Sequence, residues 1–289
     1  MNPRIISGIF LGAMAVTGAA GDDAIFTYRL GRFEVNLLVE NRGAGRSSIL
    51  LNADSDLLGR YIPGGTYQSE TNTFLVRTGD KTIVVDTGFG TTIFDRMKQL
   101  GVSPDQVDAV LITHMHGDHI GGLQKEGKAL FPRAAVFLAQ QERDYFTKTN
   151  VNNAAVAALA PYGDRVKTFL PGDLDVARQS GARSLEGLPG IIPVAAFGHT
   201  PGHTAYLLES DGERLLIWGD LMHAEAIQFP VPGVSVTYDT DPAAAAAIRG
   251  RILDYAATQK VPVAGMHLVY PAIGTVTAAG SGYRFTQAK

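Results

Sequence analysis

Apolar and polar residues alternate in short stretches along most of the chain, a pattern that is typical of strands separated by turns. Two hairpins are predicted, at 25–40 around Leu30-Gly31-Arg32 and at 72–85. Further apolar runs that predict strands occupy residues 108–113, 134–139, 191–197, 205–209, 214–218 and 262–265. Helical periodicity predicts helices at 91–100, 140–148 and 242–259, the last with Asp241 as its N-cap. Strands that alternate with helices indicate an α/β fold.

The segment 41–70 breaks this pattern, because it is rich in Gly, Ser and Asn. We expect a long and partly ordered loop there. Loops of this size in compact domains often serve as lids or pocket walls. A dimer arm is the alternative interpretation of this segment. The sequence decides neither between these roles nor on the oligomeric state.

Composition narrows the classes of function. The chain has 289 residues, of which 45% are hydrophobic and 18% are charged, as in ordinary globular proteins. Its formal net charge is −3 and like charges do not cluster, which disfavours nucleic acid as a partner and favours a small-molecule substrate. There is no cysteine, so any metal site must be built from nitrogen and oxygen ligands.

The N-terminus has the order of features of a secretory signal peptide. Arg4 precedes an apolar run at 5–16, and small residues follow at 17–21. The apolar run is too short for a permanent membrane anchor. We therefore expect residues 1–21 to be removed and residues 22–289 to form a single exported domain, periplasmic or secreted.

The histidines indicate the chemistry. Three imidazoles and a carboxylate fall within six positions, at His114, His116, Asp118 and His119. Such a cluster is costly to bury unless a bound metal offsets the cost. The other histidines all come later, in segments marked by Gly or Asp, at His199, His203, His223 and His267. This distribution predicts a metalloenzyme.

Two ions need more ligands than the cluster provides. His114 and His116 can face one ion while Asp118 and His119 face another, and zinc needs three or four donors plus an open position. The remaining donors are expected from residues that each follow a predicted strand: His203, Asp220 and His267. A carboxylate such as Asp220 can bridge two ions ~3.5–4 Å apart, the spacing of two-metal hydrolysis.

These motifs together resemble the metallo-β-lactamase superfamily. The matching segments are 114–119, 199–203, Gly219-Asp220, the late His267 and Asp86-Thr87-Gly88. The resemblance implies an αββα sandwich, in which two mixed sheets carry helices on their outer faces. It also implies two divalent ions, usually zinc, with manganese, cobalt or iron as alternatives. By position, one ion would take His114, His116 and His203, the other Asp118, His119 and His267, and Asp220 would be shared.

Within the superfamily the chain most resembles the exported methyl parathion hydrolases and related lactonases. The motifs that carry this likeness are 113–122, 198–204, 219–221, 228–229 and 282–285. The likeness implies attack by a metal-bridging hydroxide, with Asp118 orienting it and transferring a proton. Lactones or esters, such as acyl-homoserine lactones, are the expected substrates. Organophosphate triesters are the alternative, weakened by an Ala-rich segment at 151–160, and a non-catalytic metal-binding module is a third reading.

Several further residues are assigned to the surroundings of the ions. His199 is expected to orient His203 or its loop rather than to bind metal. Asp86 is expected to support a ligand or cap a turn, and Trp218 to lie in the core. His223 can line the pocket or pack beside it. An apolar substrate wall is a further hypothesis, against a plain core role, for Phe89, Phe94, Phe146 and Tyr270.

Overall fold

Two mixed β-sheets form the centre of the computed structural model, which describes residues 24–177 and 182–289. The expected signal peptide at 1–21 lies outside the described residues. In chain order the strands are β1 (Ile25–Leu30), β2 (Phe33–Arg46), β3 (Leu50–Leu51), β4 (Thr66–Arg77), β5 (Thr82–Val85), β6 (Ala109–Leu111), β7 (Gln124–Lys125), β8 (Lys128–Ala129), β9 (Ala135–Ala139), β10 (Val166–Phe169), β11 (Ile191–Ala195), β12 (Thr204–Ser210), β13 (Glu213–Ile217), β14 (Ser235–Val236), β15 (Val263–Ala264), β16 (Ile273–Ala279) and β17 (Gly282–Gln287).

Helices connect these strands. They are α1 (Ser55–Tyr61), α2 (Ile93–Gln99), α3 (Gly117–Ile120), α4 (Gln140–Asp144), α5 (Asn153–Leu159), α6 (Leu174–Ala177), α7 (Glu225–Gln228) and α8 (Pro242–Gln259). A π-helical turn, Tyr145–Thr149, continues α4, and α8 has the predicted bounds, with Asp241 accepting from the backbone amides of Ala243 and Ala244. None of the helices in the described parts of the chain has the length and apolarity needed to cross a membrane.

The strand order places the first half of the chain in one sheet and the second half in the other. The seven-stranded sheet runs β1-β2-β4-β5-β6-β9-β10, and the six-stranded sheet runs β11-β12-β13-β15-β16-β17. Both are mixed, because β5-β6-β9-β10 and β13-β15 pair in parallel and the remaining neighbours are antiparallel.

The layers follow from which side chains each face buries. Val35 and Phe74 of the first sheet share a core with Leu207 and Leu215 of the second. The opposite face of the first sheet packs on α2 and α5, and α8 packs on β16 of the second sheet. The order helix, sheet, sheet, helix is the αββα sandwich expected from the sequence.

The segment 41–70 differs from its prediction. β2 continues to Arg46 and β4 begins at Thr66, so two long strands pair at the two ends of the segment, and α1 lies between them in the sequence. The reason is a cross-strand fit that local composition does not reveal. Gly45 pairs with Tyr67, and the Tyr67 ring occupies the space where a side chain at 45 would lie.

Candidate metal centre

The site lies where strands of both sheets end. His114, His116 and α3 follow β6 in the first sheet. In the second sheet His199 follows β11, Asp220 follows β13 and His267 follows β15. Because these strands end at one edge of the sandwich, the loops that follow them lie together there. Residues about 150 positions apart in sequence therefore meet at this edge.

A first group of potential ligands gathers around His116. Its Nδ1 lies 3.1 Å from Nε2 of His114 and 3.0 Å from Nε2 of His199. Asp220 Oδ2 is 3.6 Å from His114 Nε2 and 3.4 Å from His199 Nε2. These four side chains are therefore close enough to share one metal ion.

A second group lies on the other side of Asp220. It consists of Asp118, His119 and His267, with Asp118 oxygens 3.7 Å from His119 Nε2 and 3.5 Å from His267 Nε2. Asp220 contacts this group as well, through Oδ1 at 3.1 Å from His119 Nε2 and Oδ2 at 3.1 Å from His267 Nε2. Its carboxylate is thus placed between the two groups, as a bridging ligand would be.

Hydrogen bonds on the outer side of the rings fix which nitrogen faces inward. Nδ1 of His119 contacts Asp86 Oδ2 at 2.7 Å, and Nδ1 of His199 contacts Asp239 Oδ1 at 2.8 Å. Nδ1 of His267 contacts the backbone oxygen of Glu70 at 2.7 Å. Since a carboxylate or carbonyl only accepts, these Nδ1 atoms carry the proton and the Nε2 lone pairs face the centre.

The arrangement fits divalent cations. Inward lone pairs about 3 Å apart repel unless a cation or proton lies between them. Among the described residues, buried His119 Nε2 and Asp220 Oδ1 have no partner with hydrogen-bond geometry. A donor set of imidazoles and carboxylates suits zinc, and also manganese, cobalt or iron.

The electrostatics of the site point the same way. Burial lowers the pKa of His114 and His199 well below the usual range, which keeps both imidazoles neutral, the form that binds metal. Burial opposes ionisation of Asp220, but the surrounding histidines hold its pKa well below the usual range. Burial likewise opposes charge on His119 and His267, yet the charge of Asp220 raises the pKa of both. The buried negative charge of Asp220 therefore favours the binding of a cation or a proton at this site.

His203 lies outside both groups, which corrects the expected ligand set. Its Nδ1 donates to the backbone oxygen of Ala196 at 2.8 Å, and its Nε2 accepts from the backbone N–H of Asp220 at 3.0 Å. Both ring nitrogens are therefore engaged. The geometry favours His199 as the ligand and gives His203 a supporting role beneath Asp220, the reverse of the sequence-based expectation.

His223 lies against the same carboxylate. Its Nε2 is 3.1 Å from Asp220 Oδ2, and its ring stacks on His267 with centroids 4.9 Å apart. Asp220, His223 and His267 form a third set of side chains close enough to hold a cation. His223 also lines the cavity above the site, which is the first of the two roles expected for it, lining the pocket or packing beside it.

A cavity of about 720 Å³ opens over the two groups. The paired ends of β2 and β4 form one wall, with Arg46 and Tyr67, and the exposed rings of Phe89 and Tyr238 lie at other points of its lining. The two ends of the segment 41–70, at 44–49 and 67–69, therefore form part of the pocket wall. None of residues 151–160 is among the described residues that line the cavity.

The expected aromatic wall is only partly assembled. Phe89 lines the cavity, and the ring of buried Phe146 packs edge-on against His116, with centroids 5.8 Å apart. Phe94 instead packs on Phe131 in the core beneath the first sheet, and Tyr270 packs on Phe26. Neither of those two rings is among the described residues that line the cavity. Trp218 is fully buried in the shared core.

Supporting carboxylates complete the site. Asp86 accepts from the backbone N–H and the hydroxyl of Thr113 as well as from His119, which is the role expected for it. Asp239, on His199, and Glu142, beneath the ligand loops, were missed by sequence reasoning. Glu142 lies in α4, the helix that begins directly after β9, and this position near a strand end was the one signal available.

Comparison with known proteins identifies the family. The model of the metallo-beta-lactamase superfamily matches residues 66–257. The chain belongs to this superfamily. Among curated proteins, the exodeoxyribonuclease WalJ of Streptococcus pneumoniae (strain D39) is 30% identical over 113 residues, which is 37% of this chain and 40% of that protein. The chain thus matches well under half the length of this relative.

Solved structures match over nearly the whole chain. The hydrolase AbOPH of the beta lactamase superfamily has a TM-score of 0.80 at 26% identity, covering 92% of this chain and 98% of its own. AidC, a dizinc quorum-quenching lactonase, has a TM-score of 0.81 at 24% identity, with 93% and 99% covered. The fold of this chain is therefore that of metal-dependent hydrolases, and its His/Asp groups are candidate metal ligands.

Proposed function

We propose that this protein is a dinuclear metal hydrolase that opens lactones or cleaves esters. The observation that carries the proposal is the pair of ligand groups on either side of Asp220, with inward-facing ring nitrogens. The first ion would be held by His114, His116 and His199, and the second by Asp118, His119 and His267, with Asp220 shared. Zinc is the expected metal.

The ions, when bound, supply a water of lowered pKa and polarise the carbonyl of the substrate. The protein's own groups then decide orientation and proton transfer. Asp118 is the best placed of these, because its side chain is 24% exposed at the cavity while the other carboxylate, Asp220, is buried. Asp118 can therefore orient the nucleophile and return its proton to the leaving group.

Lactones and esters suit the cavity for two reasons. Its lining combines apolar surface with few charged side chains outside the ligand set, Arg46 among them. AidC, which shares the fold, is a lactonase that was solved with N-hexanoyl-L-homoserine as product. Acyl-homoserine lactones are accordingly the substrates to test first.

Phosphotriester hydrolysis is the second candidate. The observation that favours it is the exposure of two aromatic rings in the lining, with Phe89 48% and Tyr238 54% exposed. Such rings can stack on an aryl leaving group.

An exported location and a homodimer remain part of the proposal, since the chain's N-terminal pattern supports the first and the sequence leaves the second open.

A parallel assay tests the proposal. The metal content of the full-length protein is quantified, and its hydrolysis of an acyl-homoserine lactone, an aryl ester and methyl parathion is measured. Asp220→Asn and the control Asp95→Asn, at an exposed position, are assayed in the same way. We expect lactone turnover that falls at least ~100-fold in Asp220→Asn and is unchanged in Asp95→Asn. Faster methyl parathion cleavage would favour the second candidate, and two bound ions without any turnover would leave the metal-binding module.

A further inference from the structure

Glu142 is a buried carboxylate that the proposed chemistry does not use. It lies on α4 and is fully enclosed. Oε1 accepts from the backbone N–H of Met115 at 2.8 Å. Oε2 accepts from the Thr200 hydroxyl at 2.6 Å and from the backbone N–H of Gly202 at 2.9 Å. One side chain thus accepts three hydrogen bonds from two different loops.

Those two loops carry the first ligand group. Met115 lies between His114 and His116, and Thr200 directly follows His199. The two loops come from different sheets, since the first follows β6 and the second follows β11. Glu142 is therefore a link between the rings that meet at His116.

The approach of α4 to the second loop is close. A Cβ at Gly202 would lie 2.2 Å from the backbone nitrogen of Glu142 and 2.6 Å from its Cα, which is a clash with backbone that cannot move freely. A side chain at 202 would separate the loop from the carboxylate. The glycine is what lets Glu142 reach both loops.

We propose that Glu142 is a positioning residue, whose carboxylate holds the His114–His116 loop against the His199 loop and so sets the affinity of the first ligand group for its ion. The inference rests on the proposed dinuclear site. Ligand geometry must hold within a few tenths of an ångström for tight binding, and outer groups that orient ligands are worth 10–100-fold in affinity. Glu142 acts one step further out, on the backbone that carries the ligands.

The test is a zinc competition titration on the full chain with a chromophoric chelator, which resolves two dissociation constants. The variant is Glu142→Gln, whose amide nitrogen must face at least one N–H or O–H donor and so loses a bond to one loop. Glu40→Gln is the matched control, because Glu40 is also buried and accepts from the backbone and hydroxyls of Thr91 and Thr92, which neither bind the ion nor adjoin a ligand in sequence.

We expect one zinc dissociation constant of Glu142→Gln to rise about 10–100-fold while the other stays within about threefold of the wild type. Glu40→Gln should keep both constants. Equal constants in Glu142→Gln and the wild type would overturn the inference, as would an equal rise in both variants, since that would reflect a general loss of packing.

Thr200→Val decides the matter if Glu142→Gln does not fold, because it removes one of the three donors and keeps the Glu142 carboxyl group. The same constant should rise, by about 3–10-fold, and no change would overturn the inference. The proposed function fails separately. A wild type that binds two zinc ions without hydrolysing any substrate would contradict that function, while the titration would still test Glu142.

Discussion

The partner of one imidazole nitrogen decides what the other nitrogen can do. His199 has a carboxylate, Asp239, on its Nδ1, so its Nε2 lone pair is directed to the centre. His203 has backbone groups on both nitrogens. Four residues apart on one loop, the two side chains therefore have opposite roles, one towards an ion and one towards the backbone of Asp220.

Substitution of each histidine by glutamine separates these roles. His199→Gln should lower the zinc content from two ions per chain towards one, with little change in the free energy of unfolding of the metal-free protein. His203→Gln should keep most of the zinc but unfold more easily by ~1–3 kcal/mol, because the glutamine amide can replace only one of the two ring nitrogens, so Ala196 O or Asp220 N loses its partner in a buried place. Zinc analysis and denaturant unfolding measure both. The opposite pattern would restore His203 as the ligand.

Glu142 predicts a pH dependence of stability. Burial raises the pKa of its carboxyl to about 7, against 4.5 for an exposed glutamate. The folded chain thus binds a proton more tightly than the unfolded chain, so this group's contribution is fully present below pH ~4.5 and is lost as the pH rises through about 7. The shift corresponds to roughly 3 kcal/mol.

Comparison with Glu142→Gln isolates this effect, because the two proteins share every other titratable group. In the presence of a chelator, the free energy of unfolding of the wild type minus that of the variant should increase as the pH falls from about 7.5 to 5. Urea unfolding at several pH values gives this difference. A flat difference would show that Glu142 titrates normally.

At the scale of elements, the paired ends of β2 and β4 shape the cavity. Tyr67 lies over Gly45, where an added Cβ would come within 2.2–2.3 Å of ring carbons, whereas a Cβ at Gly43 meets nothing within 4 Å. Gly45→Ala should therefore push the Tyr67 ring aside, cost about 1–3 kcal/mol and change KM for a lactone more than kcat. Gly43→Ala is the matched control and should leave KM and stability unchanged. Equal kinetics in both variants would mean that Tyr67 does not shape substrate binding.

Elements with local signals were predictable from the sequence. α8 begins after the N-cap Asp241 with proline in its first turn, and its bounds match the prediction. The strand before His114 was found from its apolar run. The strand ends at 41–46 and 66–70 were not, because their pairing depends on how Tyr67 fits over Gly45 rather than on composition. The exchange between His199 and His203 has the same origin, since Asp239 and the backbone oxygen of Ala196 are placed by the fold.

At the scale of the molecule, contacts between the sheets support the site from below. The Tyr206 hydroxyl of the second sheet donates to the backbone oxygen of Ile112 at 2.8 Å, and Thr204 N–H donates to Thr113 O at 3.0 Å. On the other side, the Asn72 side chain donates to Leu268 O at 2.8 Å. These bonds hold the ligand loops of both sheets near each other independently of any ion, so the fold should persist when metal is removed.

Chelation should then lower stability without unfolding the protein. Ions that bind only the folded chain stabilise it by RT ln(1 + [L]/Kd), ~4 kcal/mol at a thousandfold excess over Kd, and their loss leaves crowded lone pairs around Asp220. We expect Tm to fall by roughly 10 °C with a chelator and to recover with added zinc, while the far-ultraviolet circular dichroism at 25 °C stays the same. The Tm of Asp220→Asn should fall less than that of the wild type when the chelator is added, because this variant lacks the carboxylate shared by both ligand groups. A Tm that does not respond to chelation would contradict two bound ions, since each would link loops from both sheets.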